Sequence, residues 1–173
     1  GAARVVGIDF AGAMLRVGLD KLRRLGLDGP VTLIRADATL IPLCDGSVDA
    51  ATVSFGIRNV ADPSAACREL WRVLAPGGRL VILEFAIPTM RGVRGAYLWY
   101  FHRVLPLIGR LISRHGAAYG YLPASVGMFP PPDEFVKILK ENGFSTVEAS
   151  PLTLGIVYLY RARRGTSGAP PVH

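Results

Sequence analysis

Apolar residues recur along this chain in two rhythms. Short continuous apolar runs at 5–8, 31–34, 50–55 and 80–83 alternate with stretches whose apolar positions fall three or four apart. Met14, Leu15, Leu19, Leu22 and Leu25, closed by Gly26, predict a first helix. Asp62 as N-cap and Pro63 as first helical residue predict a second, carrying Ala66, Leu70, Val73 and Leu74 and stopped by Pro76-Gly77-Gly78. Each strand and its helix take roughly 25–30 residues, the rhythm of βαβ units. The run at 80–83 is apolar throughout, as a strand covered on both faces should be. The expected fold class is therefore α/β, a doubly wound, mostly parallel sheet.

The rhythm changes after Phe85. Residues 86–130 are rich in Arg, Gly and aromatic side chains and show helical stretches without a strand signal, which predicts a helical lid inserted into the domain. A last helix is expected at 133–142, capped by Gly143, then two closing strands at 146–148 and 155–160. Residues 1–164 then form one domain, and the Gly/Pro/Ser-rich stretch 165–173 is expected to be a disordered tail.

Composition narrows the class. With 173 residues, half of them hydrophobic and 19% charged, the chain can bury a core and is neither disordered nor collagen-like. Cys44 and Cys67 are too few for a disulfide framework or a structural zinc site, which points to a reducing compartment. The net charge of +7 is local: Arg91, Arg94, Arg103, Arg110 and Arg114 face no acid anywhere in 85–132. No uninterrupted apolar run reaches the roughly 18 residues of a spanning helix. His102, His115 and His173 have no metal-ligand spacing, so no metal is expected. The surroundings of the arginines are too apolar for a nucleic-acid surface. The chain opens on Gly1 and enters a strand within a few residues, as the downstream part of a longer protein would.

Ligands of open α/β sheets sit beyond the carboxyl ends of the strands. Asp9, Asp37 and Ser54 fall there. Either acid suits a ribose diol, since a carboxylate accepts two hydrogen bonds; Asp9 equally suits a helix cap and Asp37 a turn. Ser54-Phe55-Gly56-Ile57-Arg58-Asn59 brings a guanidinium and an amide to the same end. Arg58 can stabilise a developing oxyanion, or simply pair with an acid such as Asp62. Glu84 can contact substrate or anchor the lid through an arginine.

Four sets of residues together resemble a known family. They are Gly7-Ile8-Asp9-Phe10 with Met14-Leu15; Ala36-Asp37-Ala38 with Ile41-Pro42; Ser54 through Val60; and Arg72 through Leu80 with Leu83-Glu84-Phe85. The chain resembles the S-adenosylmethionine-dependent C-methyltransferases of ubiquinone and menaquinone biosynthesis, over about residues 5–161. The Pro-Gly-Gly turn is common to many methyltransferases, whereas Ser-Phe-Gly-Ile-Arg-Asn is particular to the quinone group. The resemblance implies a Rossmann-like class I methyltransferase fold whose first strand and glycine-rich loop would lie before Gly1. It implies that Asp9 binds the ribose of S-adenosylmethionine, that Asp37 and Ala38 contact its adenine, that Ser54 lines the donor site, and that Arg58 and Asn59 flank the acceptor ring.

The implied reaction is C-methylation of a polyprenyl quinol, with demethylmenaquinol favoured over a benzoquinol. Two alternatives remain open: a methyltransferase acting on another lipid-like or small aromatic substrate, and a non-catalytic scaffold within a quinone-synthesis complex. A lipid acceptor also gives the basic segment a purpose. Tyr97, Leu98, Trp99, Tyr100 and Phe101 with the five arginines are suited to an anionic membrane surface, or to an ordinary lid whose aromatics face inward. The expected location is cytoplasmic, peripheral on the inner face of the membrane, with a homodimer compatible.

Overall fold

The computed structural model describes residues 4–88, 91–99, 103 and 125–166. It opens with β1 (Val5–Asp9), α1 (Gly12–Arg24) and β2 (Val31–Arg35), and β1 and β2 pair in parallel. Leu15, Leu19 and Leu22 form the half-buried stripe of α1, while Met14 and Leu25, expected on the same stripe, lie exposed. The helix packs closely because two glycines make room for Leu33. A Cβ on Gly7 would stand 2.6 Å from one Leu33 methyl, and a Cβ on Gly18 2.9 Å from the other.

The second unit is a four-stranded sheet in the order β3-β4-β6-β5: β3 (Val48–Ser54), β4 (Leu74–Phe85), β5 (Phe144–Leu152) and β6 (Val157–Arg164). β3 and β4 are parallel, and β6 runs antiparallel between β4 and β5. No backbone ladder joins β1 to β3 among the described residues; Ile8, Ala38 and Leu43 instead pack against the core of the larger sheet. That core lies between the sheet and two helices, α2 (Pro63–Val73) and α4 (Pro132–Glu141). Its centre is Leu70, Trp71, Leu80, Ile82, Phe135, Leu139 and Tyr160.

Helix α2 starts as its sequence predicts, with the Asp62 carboxylate accepting the Ala65 N–H at 2.9 Å and Pro63 filling the first turn. Its end differs. Leu74 already pairs with Val48, so Pro76-Gly77-Gly78 is a bulge inside β4 rather than a turn before it. Gly77 there has φ of 78°, and a Cβ on Gly78 would lie 2.7 Å from the Ala75 carbonyl oxygen. The closing strands are longer than their apolar runs, because pairing in the β5–β6 hairpin carries them through polar residues.

Within 86–130, α3 (Arg91–Trp99) and a helical turn at 125–128 are described. Most of the expected lid, and the expected tail from 167 onward, lie outside the described residues. No helix among the described residues is long and apolar enough to cross a membrane.

Candidate active site

Asp9 ends β1 and is exposed, and its Oδ1 accepts the Ala11 N–H at 2.7 Å. The carboxylate therefore shapes the entry to α1, where Ala11 is the N-cap residue. Among the described residues its second oxygen accepts no hydrogen bond, which fits a ribose hydroxyl as partner. Of the two readings of Asp9 from the sequence, the structure shows a carboxylate that holds the turn before α1 without being its N-cap.

Asp37 lies two residues past β2, and its Oδ1 accepts the Thr39 N–H and the Thr39 hydroxyl, each at 2.8 Å. These two bonds hold its carboxyl below the usual range. It is a turn former with one oxygen left for a ligand. Ala38 is half-buried and packs on the core. Ser54 ends β3 with its side chain exposed, followed by Phe55 at φ of 54°. A left-handed turn at a non-glycine residue bends the chain sharply away from the strand end, into the short helix Ile57–Asn59.

Arg58 is the most constrained of the expected site residues. Its Nη1 donates to Glu84 Oε1 at 2.7 Å and to the Phe55 carbonyl at 2.5 Å, and its Nε donates to the Ser125 hydroxyl at 3.3 Å. The guanidinium carbon stands 5.5 Å from the centre of the Phe85 ring. Glu84 also accepts the backbone N–H groups of Arg58, at 3.3 Å, and Phe85, at 2.9 Å. The partner of Arg58 is thus Glu84 and not the nearby Asp62, which is occupied in capping α2 and lies 3.9 Å from Arg68. Glu84 is an anchor, as one of its two expected roles had it, but it anchors the site loop rather than a lid arginine. Its side chain is fully buried, and that of Arg58 is 9% exposed. Asn59, the last residue of the short helix, is exposed beside them.

Two residues join this site that sequence reasoning had not assigned to it. Ser125, buried at the start of the turn 125–128, reaches Arg58 across 67 residues. Tyr97 of α3, for which the sequence left a membrane-facing and an inward-facing place open, is 6% exposed. Burial pushes its phenol up to about 12, with the Arg58 charge acting in the opposite direction. An amphipathic helix must bury one face, and Tyr97 lies on it; Trp99 on the same helix is 64% exposed. Tyr100 and Phe101 fall outside the described residues. No group of three or more potential metal ligands occurs among the described residues.

The chain matches the ubiE/COQ5 methyltransferase family over residues 1–164. It belongs to that family. It is 46% identical over 166 residues to the ubiquinone/menaquinone biosynthesis C-methyltransferase UbiE of Syntrophotalea carbinolica, covering 96% of this chain and 69% of that protein. It is 40% identical over 158 residues to the UbiE of Klebsiella pneumoniae, covering 91% of this chain and 63% of that protein. The chain thus spans about two thirds of the length of these ubiE/COQ5 relatives. Among solved structures it is similar to a SAM dependent methyltransferase from Aquifex aeolicus, with a TM-score of 0.61 at 20% identity, covering 92% of this chain and 68% of that one. A methyltransferase from Methanococcus maripaludis, described as putative and S-adenosyl-L-methionine-dependent, gives 0.63 at 18% identity, covering 94% of this chain and 68% of that one. The fold of this ubiE/COQ5 chain is that of the S-adenosylmethionine-dependent class I methyltransferases.

Proposed function

We propose that the protein uses S-adenosylmethionine to methylate a ring carbon of a polyprenylated quinol in menaquinone or ubiquinone biosynthesis, with demethylmenaquinol as acceptor. Membership of the ubiE/COQ5 family supports the reaction class. The observation that carries the site assignment is the Arg58 guanidinium, tied at Nε and Nη1 while its Nη2 bonds to none of the described residues.

S-adenosylmethionine, when bound, supplies a sulfonium methyl group to the ring carbon, with the C–S bond breaking to leave a thioether and a ring proton passing to water. Asp9 takes the ribose diol through its second oxygen, Asp37 and the backbone at Ala38 take the adenine, and Ser54 lines the donor side. Arg58 Nη2 donates to the ring oxygen next to the reacting carbon. As that oxygen loses its proton, electron density moves onto the carbon, and a fixed donor stabilises the change without reorganising. Asn59 orients the ring from the exposed side. The acceptor stays in the bilayer, so the protein works at a membrane surface, where the exposed Trp99, Arg94 and Arg103 meet anionic lipid.

The test is a methyl-transfer assay of the full-length protein with a short-chain demethylmenaquinol. Arg58→Ala should lower turnover by roughly a hundred- to a thousandfold while leaving donor affinity near wild type. Unchanged turnover would remove Arg58 from the acceptor site.

A further inference from the structure

The Arg58 guanidinium is not a bare positive charge. Its nearest charged neighbour, Glu84 Oε1 at 2.7 Å, lies in a side chain with no solvent exposure, so little water screens the pair. Glu84 is also fixed on the protein side: its oxygens accept from Arg58 N, Arg58 Nη1 and Phe85 N. The carboxylate cannot swing aside to expose Arg58 without leaving buried donors unpaired.

A ligand reaching Arg58 Nη2 therefore meets two good hydrogen-bond donors attached to a neutralised pair. That setting suits an oxygen that arrives uncharged. It penalises one that arrives with a full negative charge, because Glu84 repels it from just behind the guanidinium. Chemistry at a phenolic ring asks for the same moderation. The oxygen must hand its electron density to the ring carbon as the new bond forms, and a naked arginine would hold the phenolate in place.

We infer that Glu84 is a specificity-determining residue: by neutralising Arg58 it makes the acceptor site take uncharged hydroxyaromatic rings and turn away rings bearing a permanent anionic substituent such as a carboxylate. The inference rests on the reading that Arg58 faces the acceptor. Glu84 does not touch the ring and acts through Arg58. The second buried residue near Arg58, Tyr97, supplies no opposing charge, since its phenol stays protonated well above neutral pH.

The experiment compares two probes of similar shape, 1-naphthol and 1-hydroxy-2-naphthoate, by calorimetric titration of the full-length protein. Wild type should bind naphthol in preference. Glu84→Gln keeps the size and an acceptor oxygen but loses the charge, and should shift the affinity ratio toward the naphthoate by roughly tenfold. Glu84→Asp, which keeps the charge, should retain the wild-type preference. A ratio unmoved in Glu84→Gln overturns the inference. If that variant does not fold, as its circular dichroism will report, wild type decides alone: naphthoate bound as tightly as naphthol overturns it, and a preference for naphthol of roughly tenfold or greater supports it. Arg58→Gln separates the two readings. If it weakens neither probe and leaves turnover intact, the assignment of the acceptor site fails. If it weakens both while Glu84→Gln leaves the ratio alone, only the role of Glu84 fails.

Discussion

The Arg164 guanidinium lies 3.9 Å from the centre of the Trp71 indole and donates through Nη1 to the carbonyls of Trp71, Arg72 and Leu74. The last residue of β6 thereby closes the carboxyl end of α2, where helix carbonyls have no partner of their own and the dipole favours a cation. Arg164→Ala removes the cation, the ring contact and the hydrogen bonds together. A loss of about 2–3 kcal/mol is expected by urea unfolding, and Arg164→Lys should recover only part of it, since a point charge replaces the planar fork. A loss below about 0.5 kcal/mol would show that the cap is dispensable.

Asp9 offers a sharper test than simple deletion, because its two oxygens have different partners. Asp9→Asn keeps an acceptor for the Ala11 N–H and should leave the start of α1 intact. If the second oxygen takes the ribose diol, the same variant should still weaken S-adenosylmethionine binding by roughly tenfold or more, from the loss of charge-assisted bonds. Donor affinity equal to wild type by calorimetry would leave Asp9 with the turn alone.

The two thiols should differ in reactivity. Cys67 is buried in the core, and burial pushes its thiol up to about 12; Cys44 is exposed. A thiolate-specific reagent at pH 8 should therefore titrate one cysteine per native chain and two after denaturation. Rapid titration of both in the native state would mean that the α2 core opens readily.

Acid stability should carry the mark of Glu69. Its carboxylate accepts from Arg72 Nε at 2.7 Å, from Arg72 Nη2 at 2.8 Å and from the Ile41 N–H at 2.7 Å, and the Arg72 bonds are the main cause of its lowered value. A carboxyl lowered on folding contributes stability that is fully present above its ordinary value of 4.5 and is lost as pH falls through the lower folded value. Wild type should thus lose stability below about pH 4.5 more steeply than Glu69→Gln, whose curve should be flatter there but lower at neutral pH. Parallel curves for the two proteins would exclude the linkage.

Local chemistry made some elements readable and left others hidden. Asp62-Pro63 announces α2 because capping and a fixed φ act within one turn, and the structure starts the helix there. The bulge at Pro76-Gly77-Gly78 resembles a turn in sequence; only its pairing with β3, a non-local event, makes it strand. The same limit applies to the site. Asp62 stands four residues from Arg58 and Glu84 twenty-six, yet burial at the end of β4 selects the distant acid. Aromatic and basic composition marked residues 91–114 as notable, but which ring faces inward depends on helix phase against a core the composition does not describe.

That phase bears on the proposed contact with a membrane surface. Trp99 is exposed on α3 while Tyr97 is buried, so the two aromatics should separate in a liposome assay. Sedimentation of the full-length protein with vesicles should rise with anionic lipid and fall with added salt, since basic side chains near the surface contribute about 1 kcal/mol each. Trp99→Ala should weaken that binding, because an indole at the headgroup level loses both apolar and polar contact when truncated. Tyr97→Phe should leave vesicle binding unchanged, and any defect it has should appear in turnover. Arg94→Gln should reduce the dependence on anionic lipid without altering binding to neutral vesicles. Binding indifferent to lipid charge, or a Tyr97 variant that loses the vesicles while the Trp99 variant keeps them, would overturn this placement of α3 at the surface.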